Sequence, residues 1–151
     1  MRFVKESVFP FSAEKLWAFH ERKDAFELLV PPWQKMEVIK PPSSLAVGTK
    51  VVLRAKLGPF WRDVEAEHIE YDPDNMIFAD RLVKGPFAKW IHRHIVTKLG
   101  ENESKLTDDL EYELPLGALG RVLGGWYARR ELERLFEFRH EVTKKVCLEE
   151  G

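Results

Sequence analysis

Three consecutive stretches of the chain alternate between apolar and polar residues with a period of two, which is typical of half-buried β-strands. They cover residues 76–82, 90–96 and 106–112, and turns that contain glycine separate them. On the middle stretch this alternation places Trp90, His92 and His94 on one face of the strand. Arg93 lies on the opposite face. The pattern therefore predicts two consecutive hairpins that carry histidines on an otherwise apolar face.

Short loops set the register of these two hairpins if Lys84 pairs with Ala88 and Leu99 with Glu103. The resulting pairs are Phe78–His94, Asp80–His92 and Leu82–Trp90 in the first hairpin, and Trp90–Tyr112, His94–Asp108, Lys89–Glu113 and Arg93–Asp109 in the second. The last two pairs join opposite charges, which stabilise neighbouring strands. The charges therefore support this register.

One face of the predicted sheet is mostly aromatic and aliphatic but also carries polar groups. These are Asp80, His92, His94, Asp108 and Tyr112. A buried polar group without a partner costs about 1–3 kcal/mol. Five such groups therefore predict an interior that holds water or a ligand.

The rest of the chain divides into further predicted elements. They are a strand over residues 3–9, a helix that begins after Ser12, a short helix over 23–29, a strand over 36–39, a hairpin of 50–57 and 60–71, and a long helix over 126–146. Ser12 is a favourable N-cap, and Pro31-Pro32 ends the short helix. In the long helix, the spacing of Leu132, Phe136 and Arg139 predicts one face towards the core.

Charges and apolar residues also separate across the remaining strands. The predicted pairs are Lys50–Glu67, Val51–Ala66, Leu53–Val64 and Arg54–Asp63 within the hairpin, and Glu65–Arg81, Ala66–Asp80 and His68–Phe78 across the turn at Asp72–Asp74. Both sets place apolar side chains on the same side as the histidines. Consecutive strands therefore agree on which face is interior.

Four glycines lie within residues 117–125, just before the long helix. Glycine lowers helix propensity, so this segment is predicted to be a mobile or kinked gate. Together with the turn at Pro31–Trp33 it is expected to frame the way into the interior.

The length of the chain and its charge limit the number of domains and the classes of partner that we expect. A chain of 151 residues suits one domain, and we expect a single ligand-binding domain over residues 1–151. The formal charge of -1 offers no basic surface for nucleic acid, and interleaved charges argue against a membrane partner. Cys147 is the one cysteine, and no signal peptide is visible, so we expect a cytoplasmic protein.

Several short motifs resemble those of the START/Bet v 1-like superfamily, also called SRPBCC. They are the segment Phe9–Trp17, Phe78-x-Asp80, Gly85-Pro86-Phe87, Trp90-x-His92-x-His94 and the segment Asp108–Gly117. The chain looks most similar to a bacterial ligand-binding branch related to polyketide cyclase/dehydrase proteins. The resemblance covers nearly the whole chain.

This resemblance implies an α+β helix-grip fold. In it, a curved antiparallel β-sheet wraps around a long C-terminal α-helix, with two short helices after the first strand. It also implies an apolar internal cavity. Together with the polar groups on the predicted inner face, this favours the binding of a small, largely apolar ligand with a polar end. A cyclase/dehydratase-type enzyme is the alternative, because a histidine held by a carboxylate has a defined tautomer and can transfer protons. Whether the protein is an enzyme stays open at this point.

The candidate ligand-binding residues share the predicted inner face or the core side of the last helix. They are Phe78, Asp80, Trp90, His92, His94, Asp108, Tyr112 and Arg139. Two imidazoles and a carboxylate suit zinc or iron, so His92 and His94 with Asp80 or Asp108 are one hypothesis for a metal site. Hydrogen-bonded pairs His94–Asp108 and His92–Asp80 are the favoured interpretation, and we expect neither a metal nor a cofactor.

The predicted partner is a small apolar or amphipathic ligand. A protein partner is the third hypothesis, because Ile77 and Ile95 pair on the outer face of the predicted sheet. A second copy of the chain bound there would give a homodimer.

Overall fold

A computed structural model describes residues 1–150 of the chain; Gly151, the last residue of the expected domain, lies outside them. The strands are β1 (Arg2–Phe9), β2 (Met36–Lys40), β3 (Lys50–Leu57), β4 (Phe60–Asp72), β5 (Ile77–Lys84), β6 (Lys89–Gly100) and β7 (Glu103–Glu113). The helices are α1 (Ala13–Glu21), α2 (Ala25–Leu28) and α3 (Gly117–Glu149).

The seven strands form one antiparallel sheet in the order β1-β7-β6-β5-β4-β3-β2. Strand β1 lies at one edge of the sheet and pairs with β7, the last strand of the chain. Helix α3 packs on the inner face, where Leu132 and Phe136 are buried against Phe3, Leu110 and Tyr112. The α+β helix-grip fold predicted from the sequence is confirmed.

Helix α1 begins where its sequence predicts. The side chain of Ser12 accepts a hydrogen bond from the backbone N–H of Lys15 at 3.2 Å, which satisfies one of the free donors of the first turn. Leu16 and Trp17 are buried in a core cluster that also contains Phe78. Helix α1 therefore closes one end of the interior, and α2 follows as a single short turn.

The predicted registers of β3–β4 and β5–β6 are confirmed, and so is that of β6–β7 from Lys89–Glu113 to Lys98–Ser104. The predicted closing pair Leu99–Glu103 is wrong, because a register shift after Lys98 pairs Gly100 with Glu103 instead. The structure pairs Phe78 with His94, Asp80 with His92 and His94 with Asp108. Ile77 and Ile95 also pair as predicted, and both side chains are half-buried. A homodimer through this isoleucine pair stays a prediction.

The predicted register of β4 against β5 is wrong by two residues. The observed pairs are Ala66–Leu82, Glu67–Arg81 and His68–Asp80 instead of Ala66–Asp80, Glu65–Arg81 and His68–Phe78. Two register shifts, between Glu65 and Ala66 and between His68 and Glu70, interrupt the pairing of β4. A shift of two residues keeps each side chain on its face, so His68 still shares a face with Asp80.

The glycine-rich segment before the predicted long helix is itself helical, which corrects the expectation of a kinked gate. Helix α3 begins at Gly117, where Leu116 and Gly117 have φ angles of 68° and 55°. At Gly120 a β-carbon would lie 1.9 Å from the carbonyl oxygen of Pro115. Glycine is required here because the incoming backbone passes close to the helix, which explains one of the four glycines without mobility.

Candidate functional site

A cavity of about 240 Å³ lies between the inner face of the sheet and the helices. Apolar side chains form most of its wall, among them Phe26, Leu29, Leu53, Phe78, Leu82, Trp90 and Leu135. Polar side chains from β4, β5, β6 and α3 line another part of it, namely His68, Asp80, His92, His94 and Arg139. Apolar walls with a few convergent polar groups are typical of small-molecule sites.

Asp108 is the hub of the polar groups, although it lies behind the cavity wall. Its Oδ1 accepts a hydrogen bond from Nε2 of His92 at 2.8 Å, and its Oδ2 accepts one from Nε2 of His140 at 2.6 Å. Nδ1 of His94 lies 3.0 Å from Oδ1. A hydrogen bond of 2.7 Å joins the other ring nitrogen of His140 to the hydroxyl of Ser7. Three imidazoles from two elements therefore hold one buried carboxylate.

His94 lies between two carboxylates. Its Nε2 donates to Oδ2 of Asp80 at 3.2 Å, on the side opposite Asp108. Phe78 stacks on the ring at 4.0 Å between centroids and an angle of 7°. The predicted hydrogen-bonded pair His92–Asp80 is wrong, because Nδ1 of His92 is 4.0 Å from Oδ2 of Asp80 and His92 donates to Asp108 instead. The His94–Asp108 contact is present at 3.0 Å.

Burial and hydrogen bonds move the pKa values of this group in opposite directions. Burial alone raises the pKa of Asp108, but the hydrogen bonds from His140 and His92 hold it well below its ordinary value. Burial lowers the pKa of His94, yet its bonds to Asp108 and Asp80 outweigh burial and raise that pKa to about 8. Burial and the neighbouring His94 lower the pKa of His92. The pKa values of these two neighbouring imidazoles are therefore shifted in opposite directions, that of His94 upwards and that of His92 downwards.

All five histidines of the chain gather around this part of the interior. Burial lowers the pKa of His20 to about 4, and its Nδ1 donates to the carbonyl of Leu16 at 2.9 Å. Burial also lowers the pKa of His68 and that of Arg139. Within residues 1–150, Nδ1 of His68 and Nε of Arg139 are buried without a hydrogen-bond partner. Both side chains line the cavity, so two unsatisfied polar atoms belong to its wall residues.

The structure brings together six of the eight candidate residues along the cavity wall, namely Phe78, Asp80, Trp90, His92, His94 and Arg139. The other two lie behind the wall. Asp108 reaches the cavity through His92 and His94, and Tyr112 is buried against Phe87, with ring planes at 89°. Asp108 and Tyr112 are therefore placed to support cavity residues rather than to touch a ligand.

The sequence interpretation did not include His140 or Ser7 in the site. His140 lies four residues after Phe136 and three before Thr143, and all three are buried on one stripe of α3. That helical spacing is the sequence signal that could have identified it. Ser7 lies on the same face of β1 as the buried Phe3 and Phe9, but alternation alone gives no sign of its partner.

The expected frame of the entrance also needs correction. Residues 117–125 do not line the cavity; Arg22, Lys23, Ser43, Ser44 and Pro86 are exposed or half-buried residues that do. Trp33 packs edge-on against Phe138 at 5.3 Å, and the guanidinium of Arg134 lies 4.0 Å from its ring centroid. The aromatic ring therefore covers the surface of α3 instead of flanking an opening.

The sheet, the enclosed helix α3 and the internal cavity define a helix-grip protein of the START/Bet v 1-like superfamily. Residues 9–136 match the family described as polyketide cyclase / dehydrase and lipid transport, and the chain belongs to this family. Membership supports ligand binding or a cyclase function in general terms. A search of curated proteins by sequence finds no match.

Solved structures share the fold at low sequence identity. TTHA0849 from Thermus thermophilus has a TM-score of 0.77 and 14% identity over 100% of this chain and 99% of that chain. The Zhui aromatase/cyclase from Streptomyces sp. R1128 has a TM-score of 0.65 and 14% identity over 99% and 92%. A START superfamily protein from Mycobacterium smegmatis has a TM-score of 0.63 and 16% identity over 99% of both chains. These likenesses concern the fold alone.

Among residues 1–150, no helix combines the length and the apolar character needed to cross a bilayer.

Proposed function

We propose that the cavity binds a small, largely apolar ligand with a polar end. The observation that carries this proposal is the contrast between apolar walls and one buried group formed by Asp80, His92 and His94. A volume of about 240 Å³ is below the range of about 300–1,000 Å³ that is usual for drug-sized ligands, which favours a ligand of one or two rings.

The polar end of the ligand would hydrogen-bond to His92, His94, Asp80 and Arg139. Nδ1 of His92 and Nε of Arg139 have no hydrogen bond within residues 1–150, and both side chains line the cavity. A ligand oxygen would supply the missing partner, which offsets the cost of burying these nitrogens. Trp90 and Phe78 offer ring faces to the apolar part. Asp108 and Tyr112 would act indirectly, through the residues in front of them.

Titration with 2-naphthol and naphthalene tests this proposal, since the two probes differ by one hydroxyl. Binding is measured by calorimetry or by fluorescence of the purified full-length chain. We expect 2-naphthol to bind about 10-fold more tightly, because its hydroxyl bonds to a buried polar group. In His92→Leu this preference should disappear while naphthalene still binds.

Arg93→Leu is the matched control, because Arg93 lies on the same strand but faces outwards to Glu70. This variant should keep the preference for 2-naphthol. Equal affinity of the two probes for the unmodified protein contradicts the proposed polar end, and a preference that survives unchanged in His92→Leu rejects His92 as its main partner. Circular dichroism confirms that each variant is folded.

Catalysis of the cyclase/dehydratase type is the second candidate. It is favoured by the position of His92, whose Nε2 donates to Asp108 at 2.8 Å while its Nδ1 makes no hydrogen bond within residues 1–150 and its side chain lines the cavity. A ring held on one side by a carboxylate can exchange a proton with a ligand through its other nitrogen, as a general acid or base. One fold neighbour carries the name aromatase/cyclase. Incubation of a small poly-β-ketone with and without the protein decides between the two. Such compounds also cyclise on their own, and only an enzyme changes the rate or the products.

A further inference from the structure

We propose that Asp80, His92 and His94 form a site for one divalent transition metal ion, of the zinc or iron class, at the polar end of the cavity. One ligand atom from each residue lies within 4.8 Å of the others, and all three side chains line the cavity. Two imidazole nitrogens and one carboxylate oxygen suit these ions. This proposal goes beyond ligand binding and replaces the sequence-based expectation of no metal.

The distances between the ligand atoms fit an ion placed among them. Nε2 of His94 lies 3.2 Å from Oδ2 of Asp80, and Nδ1 of His92 lies 4.0 Å from the same oxygen. Two ligands of a tetrahedral zinc ion, each bonded at about 2.1 Å, are separated by about 3.4 Å. The observed distances lie on both sides of this value. The ligand nitrogens of His92 and His94 lie within 4.8 Å of each other, so in the proposed site the carboxylate of Asp80 and the two rings would draw together around the ion.

Asp108 orients both imidazoles for this role. His92 uses Nε2 and His94 uses Nδ1 towards Asp108, so the remaining nitrogen of each ring faces Asp80. Histidines that bind metals in proteins commonly hold their second nitrogen on a carboxylate in this way, which fixes the tautomer and the ring angle. His140 binds the other oxygen of Asp108 and holds the carboxylate in place. Asp108 is thus a positioning residue of the proposed site.

The remaining coordination position opens into the cavity. A metal site with three protein ligands keeps a place for water or for a ligand oxygen. His68 is paired with Asp80 across β4 and β5, and its buried Nδ1 makes no hydrogen bond within residues 1–150. In the proposed site this nitrogen would hydrogen-bond to a metal-bound water. It is a second observation, independent of the three ligands, that points to a bound group.

Titration of the full-length protein with Co²⁺ and Zn²⁺, after treatment with a chelator, tests the site without any organic ligand. We expect one ion per chain and the visible absorption of four- or five-coordinate cobalt. Asp80→Asn and His94→Phe should each remove this absorption. His20→Phe should keep it, because His20 also lines the cavity but its Nδ1 is bonded to Leu16. Asp108→Asn should keep the spectrum and weaken binding by about 10- to 100-fold.

Two results would overturn the proposal. One is the absence of both cobalt absorption and a saturable heat of zinc binding in the unmodified protein; the other is binding that persists in both ligand variants. If those variants do not fold, ¹⁵N NMR of the unmodified protein decides. Zn²⁺ should then move the ring-nitrogen signals of His92 and His94 but not those of His20, and unmoved signals reject the site. The naphthol titration is made on chelator-treated protein without added metal, so either proposal can fail alone.

Discussion

His20 is a buried titratable residue that lies outside the proposed ligand set. Its ring packs edge-on against Phe19 and lies 5.8 Å from that of Phe78. Burial is the largest cause of its lowered pKa, which falls from 6.5 to about 4, and the nearby His94 adds to it. The folded protein therefore keeps His20 neutral at a pH where the unfolded chain already binds a proton.

This difference predicts a pH-dependent contribution to stability. The contribution is complete above pH 6.5 and is lost as the pH falls towards 4, by about 1.4 kcal/mol per pH unit. In His20→Phe the free energy of unfolding should consequently fall less steeply between pH 6.5 and 4.5. Urea unfolding at several pH values measures the slope. Phe19→Leu is the control, and it should lower stability equally at each pH; parallel curves for His20→Phe and the unmodified protein would contradict the prediction.

At the scale of single residues, alternation predicted the polar inner face correctly. His92, His94 and Asp108 share it because side chains of a strand point to opposite faces in turn. The sequence did not predict that His92 donates to Asp108 or that His140 completes the group. Those contacts depend on side-chain rotamers and on the rotation of α3 about its axis. The spacing of apolar and polar residues along the sequence determines neither the rotamers nor this rotation.

At the scale of elements, two glycines at the start of α3 have opposite structural roles. Gly120 faces the backbone of Pro115, and a β-carbon there would lie 1.9 Å from the carbonyl oxygen. At Gly124 the nearest atom to a β-carbon is Cδ1 of Leu114, at an ordinary contact distance of 3.7 Å. Both residues lie inside a helix, where glycine costs about 0.5–1 kcal/mol relative to alanine.

The same substitution should therefore change stability in opposite directions at these two positions. Gly124→Ala should raise the free energy of unfolding by about 0.5–1 kcal/mol through helix propensity. Gly120→Ala should lower it by about 1–3 kcal/mol, since the backbone of the preceding turn must move. Chemical denaturation of both variants provides the measurement. Equal stabilisation by both would mean that Pro115 does not approach Gly120 as described.

Registers could be predicted for strands that pair without interruption around short loops, and not for β4 with β5, whose connection is equally short. The loops after Lys84 and Gly100 are short, so the pairs that follow have few alternatives. Strand β4 contains two register shifts that its turn residues do not reveal. The bounds of α3 were missed for a related reason. Glycine propensity favours a break, but the helix begins at Gly117, and the backbone of Pro115 passes close to Gly120, where glycine is needed.

At the scale of the whole molecule, the order of elements was enough to predict the sheet and the enclosed helix. The cavity volume was not predictable, because it depends on how far α1, α2 and α3 stand from the sheet. Ala66 marks where this space lies along β4. It lines the cavity, is half-buried and pairs with Val51 and Leu82, whose side chains also line the cavity.

A larger side chain at position 66 should abolish ligand binding without lowering the stability of the fold. In Ala66→Phe the new ring would occupy the cavity and bury apolar surface, so the free energy of unfolding should stay level or rise by about 1 kcal/mol. Binding of 2-naphthol and naphthalene should be lost together, because both probes need the same volume. Ile69→Phe, with the same aromatic group at an exposed position of β4, is the control and should bind both probes normally. Calorimetry with each probe and urea unfolding supply the two measurements.

Two results would contradict this prediction. If Ala66→Phe still binds 2-naphthol with unchanged affinity, the ligand lies outside this cavity. If Ala66→Phe loses stability, the space is too narrow for the ring.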